Sequence, residues 1–173
     1  MEIVISEIKS GQLRAYKDFF GRGLLEDEEN FRMTHADDLN SPFPTMGSED
    51  SFTLGAYYVK ELVGTVSFAR EGADREKLVH KGLLFRMYVS PDFRGKKIGQ
   101  KLIRQVIDRA LALDNLEHIN LTVVATNEGA KKLYEKFGFI TYGIERNGIK
   151  WKGKYFDEEL MTLPLNRQNE NNL

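Results

Sequence analysis

The chain has 173 residues, 41% of them hydrophobic and 29% charged, which is enough to bury the core of one domain and excludes the disordered and fibrous classes. Cysteine is absent, so disulfides, thiolate metal sites and a cysteine nucleophile are excluded. The formal net charge of −1 argues against non-specific nucleic-acid binding, and no apolar run approaches the ~18 residues of a membrane helix. With a start that is unlike a signal peptide, these features predict a cytoplasmic protein.

The first half of the chain predicts a strand, two helices and a hairpin. These are a strand at Ile3–Ile5, a helix over 11–22, a second helix within 24–38, a loop over 40–51, and strands over 53–59 and 62–70 around Lys60-Glu61. Gly21 and Gly23 are expected to break the first helix because glycine is a poor helix former. The loop is expected to be the most mobile segment.

The second half predicts alternating strands and helices. These are a strand over 82–90, helices over 97–114 and Glu128–Lys136, a strand over 119–124, and closing strands over 139–149 and 154–163 joined near Lys152-Gly153. The whole order predicts an α/β (α+β) fold, with a single mixed sheet of six to seven strands flanked by helices. One domain over 1–165 would precede a polar tail over 166–173. The strand–helix–strand unit across 82–124 predicts that part of the sheet is parallel.

The charges divide unevenly along the chain. Residues 1–80 contain 9 Lys and Arg against 15 Asp and Glu, a net charge of −6, whereas residues 81–173 contain 16 against 11, a net charge of +5. Such a split arises either when charges simply fall unevenly on solvated faces or when the protein has two surfaces that bind different partners. The counts alone favour the first explanation.

A basic, glycine-containing turn, Arg94–Gly99, opens the clearest helix of the sequence. Free N–H groups and the helix dipole make such an opening suitable for a pyrophosphate, and Arg94, Lys96 and Lys97 add positive charge. Gly95 lets the backbone approach a ligand closely. The spacing matches neither a P-loop nor a Rossmann fingerprint, which disfavours a P-loop kinase or NTPase. The alternative is a solvated basic helix start, but lysines oppose the dipole there, so an anion site is favoured.

Two segments resemble the GNAT (Gcn5-related) N-acyltransferases. The family's R/Q-x-x-G-x-G/A turn is matched by Arg94 and Gly99, while Lys97 replaces its first glycine. This replacement is expected to be tolerated if Lys97 has ordinary helical backbone angles. The second segment, 127–139, resembles the family's N-x-x-A-x-x-x-Y-x-x-x-G-F pattern, and the resemblance covers most of the chain.

The resemblance implies where acetyl-CoA would bind. In this family acyl-CoA lies between two parallel strands that splay apart, here 82–90 and 118–124. Backbone groups at Met87 and Val89 would pair with the pantetheine arm, which Asn127 would also hydrogen-bond. The pyrophosphate would lie on the turn formed by Arg94, Gly95, Lys96, Lys97, Ile98 and Gly99. No metal is implied.

Tyr134 matches the family's proton donor to the departing thiolate. A tyrosine between Leu133 and Phe137 is also a typical core residue, and Asn127 is equally a typical helix N-cap. The motif register favours the acid role for Tyr134.

The general base is left open. Many relatives have a Glu on the strand matching 82–90, where this chain has Arg86 and no acid. His80, His118, the acids of 26–29 and a water chain are alternatives.

The resemblance therefore implies an N-acetyltransferase that moves an acetyl group from acetyl-CoA to a primary amine of a small molecule, protein or peptide. The alternative is a non-catalytic CoA-binding or regulatory module, which Lys97 and the missing strand Glu would suit. In this family, residues 11–38 and 40–51 line the acceptor side, so the acidic first half favours a cationic amine. No nucleic-acid or membrane partner is expected, and a homodimer is left open.

Overall fold

The computed structural model describes residues 2–45, 50–72 and 74–165, and a seven-stranded mixed sheet lies at its centre. The strands are β1 (Val4–Glu7), β2 (Phe52–Tyr58), β3 (Glu61–Arg70), β4 (Lys81–Val89), β5 (His118–Val124), β6 (Ile140–Trp151) and β7 (Lys154–Pro164). Their spatial order is β1-β2-β3-β4-β5-β7-β6, and only β4 and β5 pair in parallel. The predicted mixed sheet of six to seven strands is confirmed.

The helices supply the apolar groups that cover the sheet. In the described ranges they are α1 (Leu13–Glu26), α2 (His35–Leu39), α3 (Ile98–Leu111) and α4 (Glu128–Glu135), with short 3-10 turns at Ser10–Gln12, Glu28–Asn30 and Pro91–Phe93. One buried cluster joins α3 and α4 to the sheet through residues such as Leu102 and Tyr134. A second joins α1 to β4 through Phe20 and Tyr88.

The prediction that Gly21 and Gly23 break the first helix is wrong, because α1 continues through both to Glu26. A Cβ at Gly21 would lie 2.9 Å from the His35 ring, and one at Gly23 would lie 2.8 Å from the Tyr88 ring. Both glycines therefore serve close packing. The second helix is only the five residues of α2.

The first hairpin is confirmed, but its turn is Val59-Lys60 and not Lys60-Glu61. Both turn residues have positive φ, 47° and 71°, as a two-residue turn matching the strand twist requires. The second hairpin turns at Lys152-Gly153 as predicted, with φ of 49° and 79°. Residues 46–49 of the predicted loop and the tail 166–173 lie outside the described residues. The domain bounds 1–165 and the homodimer stay predictions.

The parallel strands part soon after they begin. β4 and β5 pair at only three positions, Lys81–Leu83 with His118–Asn120. Beyond that point β4 pairs only with β3 and β5 only with β7 among the described residues. A bulge lies in the free part of β4, where Arg86 has φ of 51° and the register with β3 shifts. The result is a V-shaped opening between the two strands.

Candidate active site

A cleft of about 690 Å³ occupies the V-shaped opening, within the size range of small-molecule sites. Four parts of the chain form its walls: β4 after Gly82, the start of α3, the first turns of α4, and part of the 26–33 segment, which follows α1. Nine of the ten predicted site residues line it, namely Met87, Val89, Arg94, Gly95, Lys97, Ile98, Gly99, Asn127 and Tyr134. The fold therefore brings together two motifs that are about thirty residues apart in sequence.

Lys96 is the predicted residue whose side chain the fold does not bring to the cleft. Its Nζ donates a 2.8 Å hydrogen bond to the Asp92 carbonyl and lies 4.7 Å from the centre of the Phe93 ring. The ammonium group is held on the outside of the turn, so only the backbone of Lys96 is left to face a ligand.

Lys97 has left-handed backbone angles, φ 62° and ψ 15°, so the condition under which its replacement of the motif glycine was expected to be tolerated is not met. It is the N-cap of α3, and its side chain makes no capping hydrogen bond. A left-handed conformation favours glycine, which explains the glycine that the family pattern has here. Because no side chain caps α3, the N–H groups of its first turn are available to an anion.

Gly99 permits the close approach of three elements. A Cβ at this position would lie 2.9 Å from Leu133 Cδ2 and 3.2 Å from Met87 Cε. A side chain here would force Leu133 and Met87 to move within the wall of the cleft, so the second motif glycine keeps this wall closely packed.

Arg94 is already engaged by the protein. Its Nη2 binds the carboxylate of Asp27, its Nε donates a 3.1 Å hydrogen bond to the Val89 carbonyl, and its guanidinium lies 5.8 Å from the Tyr88 ring centre. Arg94 thus ties the start of the Arg94–Gly99 turn to the 26–33 segment. It also occupies one of the two backbone groups of Val89.

Tyr134 is both a core residue and a cleft residue. It is 6% exposed, its ring is 5.8 Å from that of Phe139, and it lines the cleft. Burial raises the pKa of its phenol, so the hydroxyl keeps its proton at neutral pH and can donate it. Asn127 is an N-cap as expected, because its Oδ1 accepts a 3.1 Å hydrogen bond from Ala130 N. Its side-chain N–H groups are left for a ligand.

Arg86 lies in the β4 bulge, on the strand where the family resemblance implied a Glu. Its Nη1 is 2.7 Å from Asp38 Oδ1, and Lys17 Nζ is 3.4 Å from the same oxygen. Asp38 is 1% exposed and faces both cations, so it is not a free base.

The other residues considered as a base either lie away from the cleft or are paired with another residue. His80 and His118 meet edge to face, with ring centres 5.3 Å apart, at the end of the sheet where β4 and β5 still pair. Each acid of the 26–29 run has a partner: Glu26 with Tyr88, Asp27 with Arg94, Glu28 with Lys152 and Glu29 with Lys154. The negative charge counted in the first half is thus locally compensated there.

Two functional candidates are absent from the predicted site residues. Arg32 lines the cleft, and its Nε lies 3.0 Å from Oε1 of Glu158, whose side chain is 0% exposed. Glu158 stands between two other acids, Asp157 and Glu159, so the sequence pattern of the closing strand did not single it out. Its contact with Arg32 joins distant parts of the chain, so spacing could not reveal it.

A sequence model of the acetyltransferase (GNAT) family matches residues 14–139. The chain belongs to this family. In the part of the chain that the structure describes, no helix is long and apolar enough to cross a membrane. Those residues also include no group of three or more His, Asp or Glu side chains placed to hold a metal ion.

Curated relatives with different acceptors match part of the chain. The spermine/spermidine N(1)-acetyltransferase of Bacillus subtilis is 30% identical over 102 residues, which cover 56% of this chain and 65% of that protein. The ribosomal protein bS18-alanine N-acetyltransferase of Salmonella typhimurium is 32% identical over 88 residues, which cover 51% of this chain and 59% of that protein. The chain thus spans about two thirds or less of these relatives.

Solved structures match almost the whole chain. A GNAT-family acetyltransferase from Streptococcus pneumoniae is 25% identical, with a TM-score of 0.78, and the match covers 95% of this chain and 99% of that one. The acetyltransferase yncA from Salmonella typhimurium, solved with acetyl-CoA, is 16% identical with a TM-score of 0.77, covering 98% and 97%. The GNAT fold predicted from the two motifs is confirmed.

Proposed function

We propose that this protein is an N-acetyltransferase that moves the acetyl group of acetyl-CoA to a primary amine. The observation that carries the proposal is the early parting of β4 and β5 beside the uncapped start of α3. The first feature suits the amide arm of CoA, and the second suits its pyrophosphate. A cytoplasmic location stays a prediction from the sequence.

The free edge of β4 would bind the pantetheine arm. Beyond Leu83 this edge has no strand partner on the β5 side in the described ranges, although its backbone N–H and C=O groups need hydrogen bonds when buried. An extended molecule with amide groups can supply them as an added strand does. Met87 and Val89 are in this stretch, and Asn127 faces it from the start of α4.

The turn at Arg94–Gly99 would bind the pyrophosphate. The first-turn N–H groups of α3 carry partial positive charge, and Lys97 adds a full charge at the same wall of the cleft, whereas the charge of Arg94 is paired with Asp27. Lys96 would contribute through its backbone alone, since its ammonium group is held by Asp92.

Tyr134 would protonate the departing thiolate. The amine attacks the thioester carbon, the C–N bond forms, the C–S bond breaks, and the sulfur takes the phenolic proton, which a proton released by the amine then replaces. The backbone N–H near Val89 is the candidate donor to the transient oxyanion.

The decisive experiment measures thiol release from acetyl-CoA with alkyl diamines, amino acids and a peptide with a free N-terminus. Transfer to at least one amine is expected, and Tyr134→Phe should lower kcat at least tenfold with little change in acetyl-CoA affinity. Tyr142→Phe is the matched control, since Tyr142 is 58% exposed on β6. Unchanged turnover in Tyr134→Phe would remove the acid role.

The alternative is a CoA-binding module without turnover. Arg86 favours it, because this residue replaces the carboxylate that many relatives have on the same strand and binds Asp38. Acetyl-CoA binding with no thiol release across the whole amine panel would establish the module and exclude the enzyme.

A further inference from the structure

Glu158 is a buried carboxylate whose oxygens lack hydrogen bonds. Its side chain is 0% exposed, and in the described part of the chain neither Oε1 nor Oε2 has a hydrogen-bond partner. Buried polar groups are normally satisfied, and a buried charge is costly unless it is both paired and hydrogen-bonded. An orphaned carboxylate therefore calls for a ligand or a catalytic role.

The position of Glu158 is beside the cleft. In the sheet it is paired with Val124, at the end of β5, just after the cleft-lining residues Thr122 and Val123. From the other side Gly148 leaves it room, since a Cβ there would lie 2.7 Å from Oε2. Arg32, a residue of the cleft wall, covers it.

The charges around Glu158 favour a cation. Glu145 on β6 is directly opposite it in the β6–β7 ladder, so two carboxylates face each other. Arg32 is the cation that faces them, from the segment before α2. Burial raises the pKa of Glu158, Arg32 opposes this rise and Glu145 adds to it.

Arg32 is a replaceable partner. Its side chain is 61% exposed, and the ion pair at 3.0 Å lacks hydrogen-bond alignment, since Glu158 Oε1 has no hydrogen bond. Only the Arg32 side of this pair is exposed, so its guanidinium can return to solvent when another cation takes its place at Glu158. A ligand ammonium group carries the same charge and can donate up to three hydrogen bonds, which would satisfy both oxygens.

We infer that Glu158 receives the ammonium group of the acceptor in place of Arg32 and takes its proton, which makes alkylammonium compounds the acceptor class. This inference rests on the proposed acetyl transfer. It assigns the proton acceptor that the β4 strand lacks.

The acceptor R–NH3⁺ gives one proton to the Glu158 carboxylate, and its nitrogen then attacks the thioester carbon. The second proton lost by the nitrogen replaces the one that Tyr134 gives to the thiolate. Glu158 returns its proton to solvent, so the products are the amide, CoA thiol and one proton.

The test compares Glu158→Gln with wild type across pH, with a linear alkyl diamine as acceptor. Without the base, the variant depends on amine that is already neutral, about one part in 1,000 at pH 7 for an amine of pKa ~10. We expect kcat/KM at pH 7 to fall at least 100-fold, and the deficit to shrink by about tenfold per pH unit towards pH 9. Glu159→Gln, the neighbouring residue on the strand, should leave the pH profile unchanged.

An arylamine acceptor is the second arm, because its amino group is already neutral at pH 7. Glu158→Gln should retain wild-type acetylation of an arylamine that the wild type accepts, which a merely misfolded variant would not do. Arg32→Ala should lower the KM for the diamine several-fold, because it removes the cation that competes for Glu158.

Three results would overturn the inference: an unchanged pH profile in Glu158→Gln, equal losses with the diamine and the arylamine, or a higher diamine KM in Arg32→Ala. Failure of the proposed function looks different, because the wild type itself would then release no thiol with any amine.

Discussion

The two ends of the cleft are built in different ways. The proposed phosphate end is one short stretch, Arg94–Gly99, whose backbone would supply the N–H groups. The proposed acceptor end joins the 26–33 segment to the β6–β7 hairpin, and the Lys152–Glu28 contact spans 124 positions of sequence. A site made of contiguous backbone can be recognised as a motif, whereas a site made of distant side chains exists only after folding.

The largest expected effect is at the phosphate end. Gly99→Asp should weaken acetyl-CoA binding about 100-fold, ~2.7 kcal/mol, because the side chain meets Leu133 and Met87 and adds negative charge near the phosphates. Calorimetric titration with acetyl-CoA measures this change in affinity. Gly11→Asp is the control, since a Cβ there meets nothing within 4 Å. Unchanged affinity in Gly99→Asp would remove this turn from the site.

At the acceptor end, Glu158 is expected to lower the stability of the folded protein although activity needs it. Glu158→Gln should raise the melting temperature at pH 7 by roughly 2–4 °C, because it removes a buried carboxylate that lacks hydrogen bonds. Glu159→Gln should lower it, since hydrogen bonds from Lys131 and Thr141 hold the pKa of Glu159 below its usual range and stabilise its charged form. Thermal unfolding of both variants measures the contrast.

The rise in melting temperature expected for Glu158→Gln should depend on pH. The pKa of Glu158 is raised in the folded protein, so its charge costs stability at neutral pH. As pH falls through that raised pKa towards the ordinary value of 4.5, the folded state takes up the proton first and the cost disappears. The rise in melting temperature caused by Glu158→Gln should therefore become smaller as the pH falls. A rise that becomes larger towards low pH would contradict this explanation.

The backbone of Lys97 offers a smaller test at the phosphate end. Lys97→Gly should raise the free energy of unfolding by about 1 kcal/mol, since glycine adopts the left-handed conformation without steric cost. Lys96→Gly, which also removes one charge, is the control and should not stabilise. Chemical denaturation measures the free energy of unfolding of both variants. Equal effects would mean that the increase in Lys97→Gly does not come from the backbone angle.

The smallest effect is expected where the two ends meet. Asp27→Asn should release Arg94 towards the cleft and strengthen acetyl-CoA binding by about threefold at low salt. Glu28→Gln, which breaks a pair with the hairpin instead, should leave acetyl-CoA affinity unchanged. Weaker binding in Asp27→Asn would mean that Asp27 holds Arg94 in its useful position.

The sequence predicted the sheet, the order of its elements and nine residues of the cleft wall, because apolar periodicity and contiguous motifs are local. It wrongly predicted a helix break at Gly21 and Gly23, which instead allow the close approach of His35 and Tyr88. It left the backbone angles of Lys97 undecided, because they depend on how the turn enters α3. The cationic-acceptor prediction rested on a charge count, but the acids of 26–29 are paired within the chain. Glu158, the carboxylate with unsatisfied oxygens, is distant in sequence from the rest of the site.

The brief pairing of β4 with β5 has a consequence for ligand binding. Each strand is fixed by its outer neighbour, β4 by β3 and β5 by β7, over ladders that continue past the point of separation. Closing the opening would require those ladders to shift, so the cleft exists before any ligand arrives. A molecule entering it uses none of its binding free energy to prise the strands apart, which is the thermodynamic benefit of a pre-organised site.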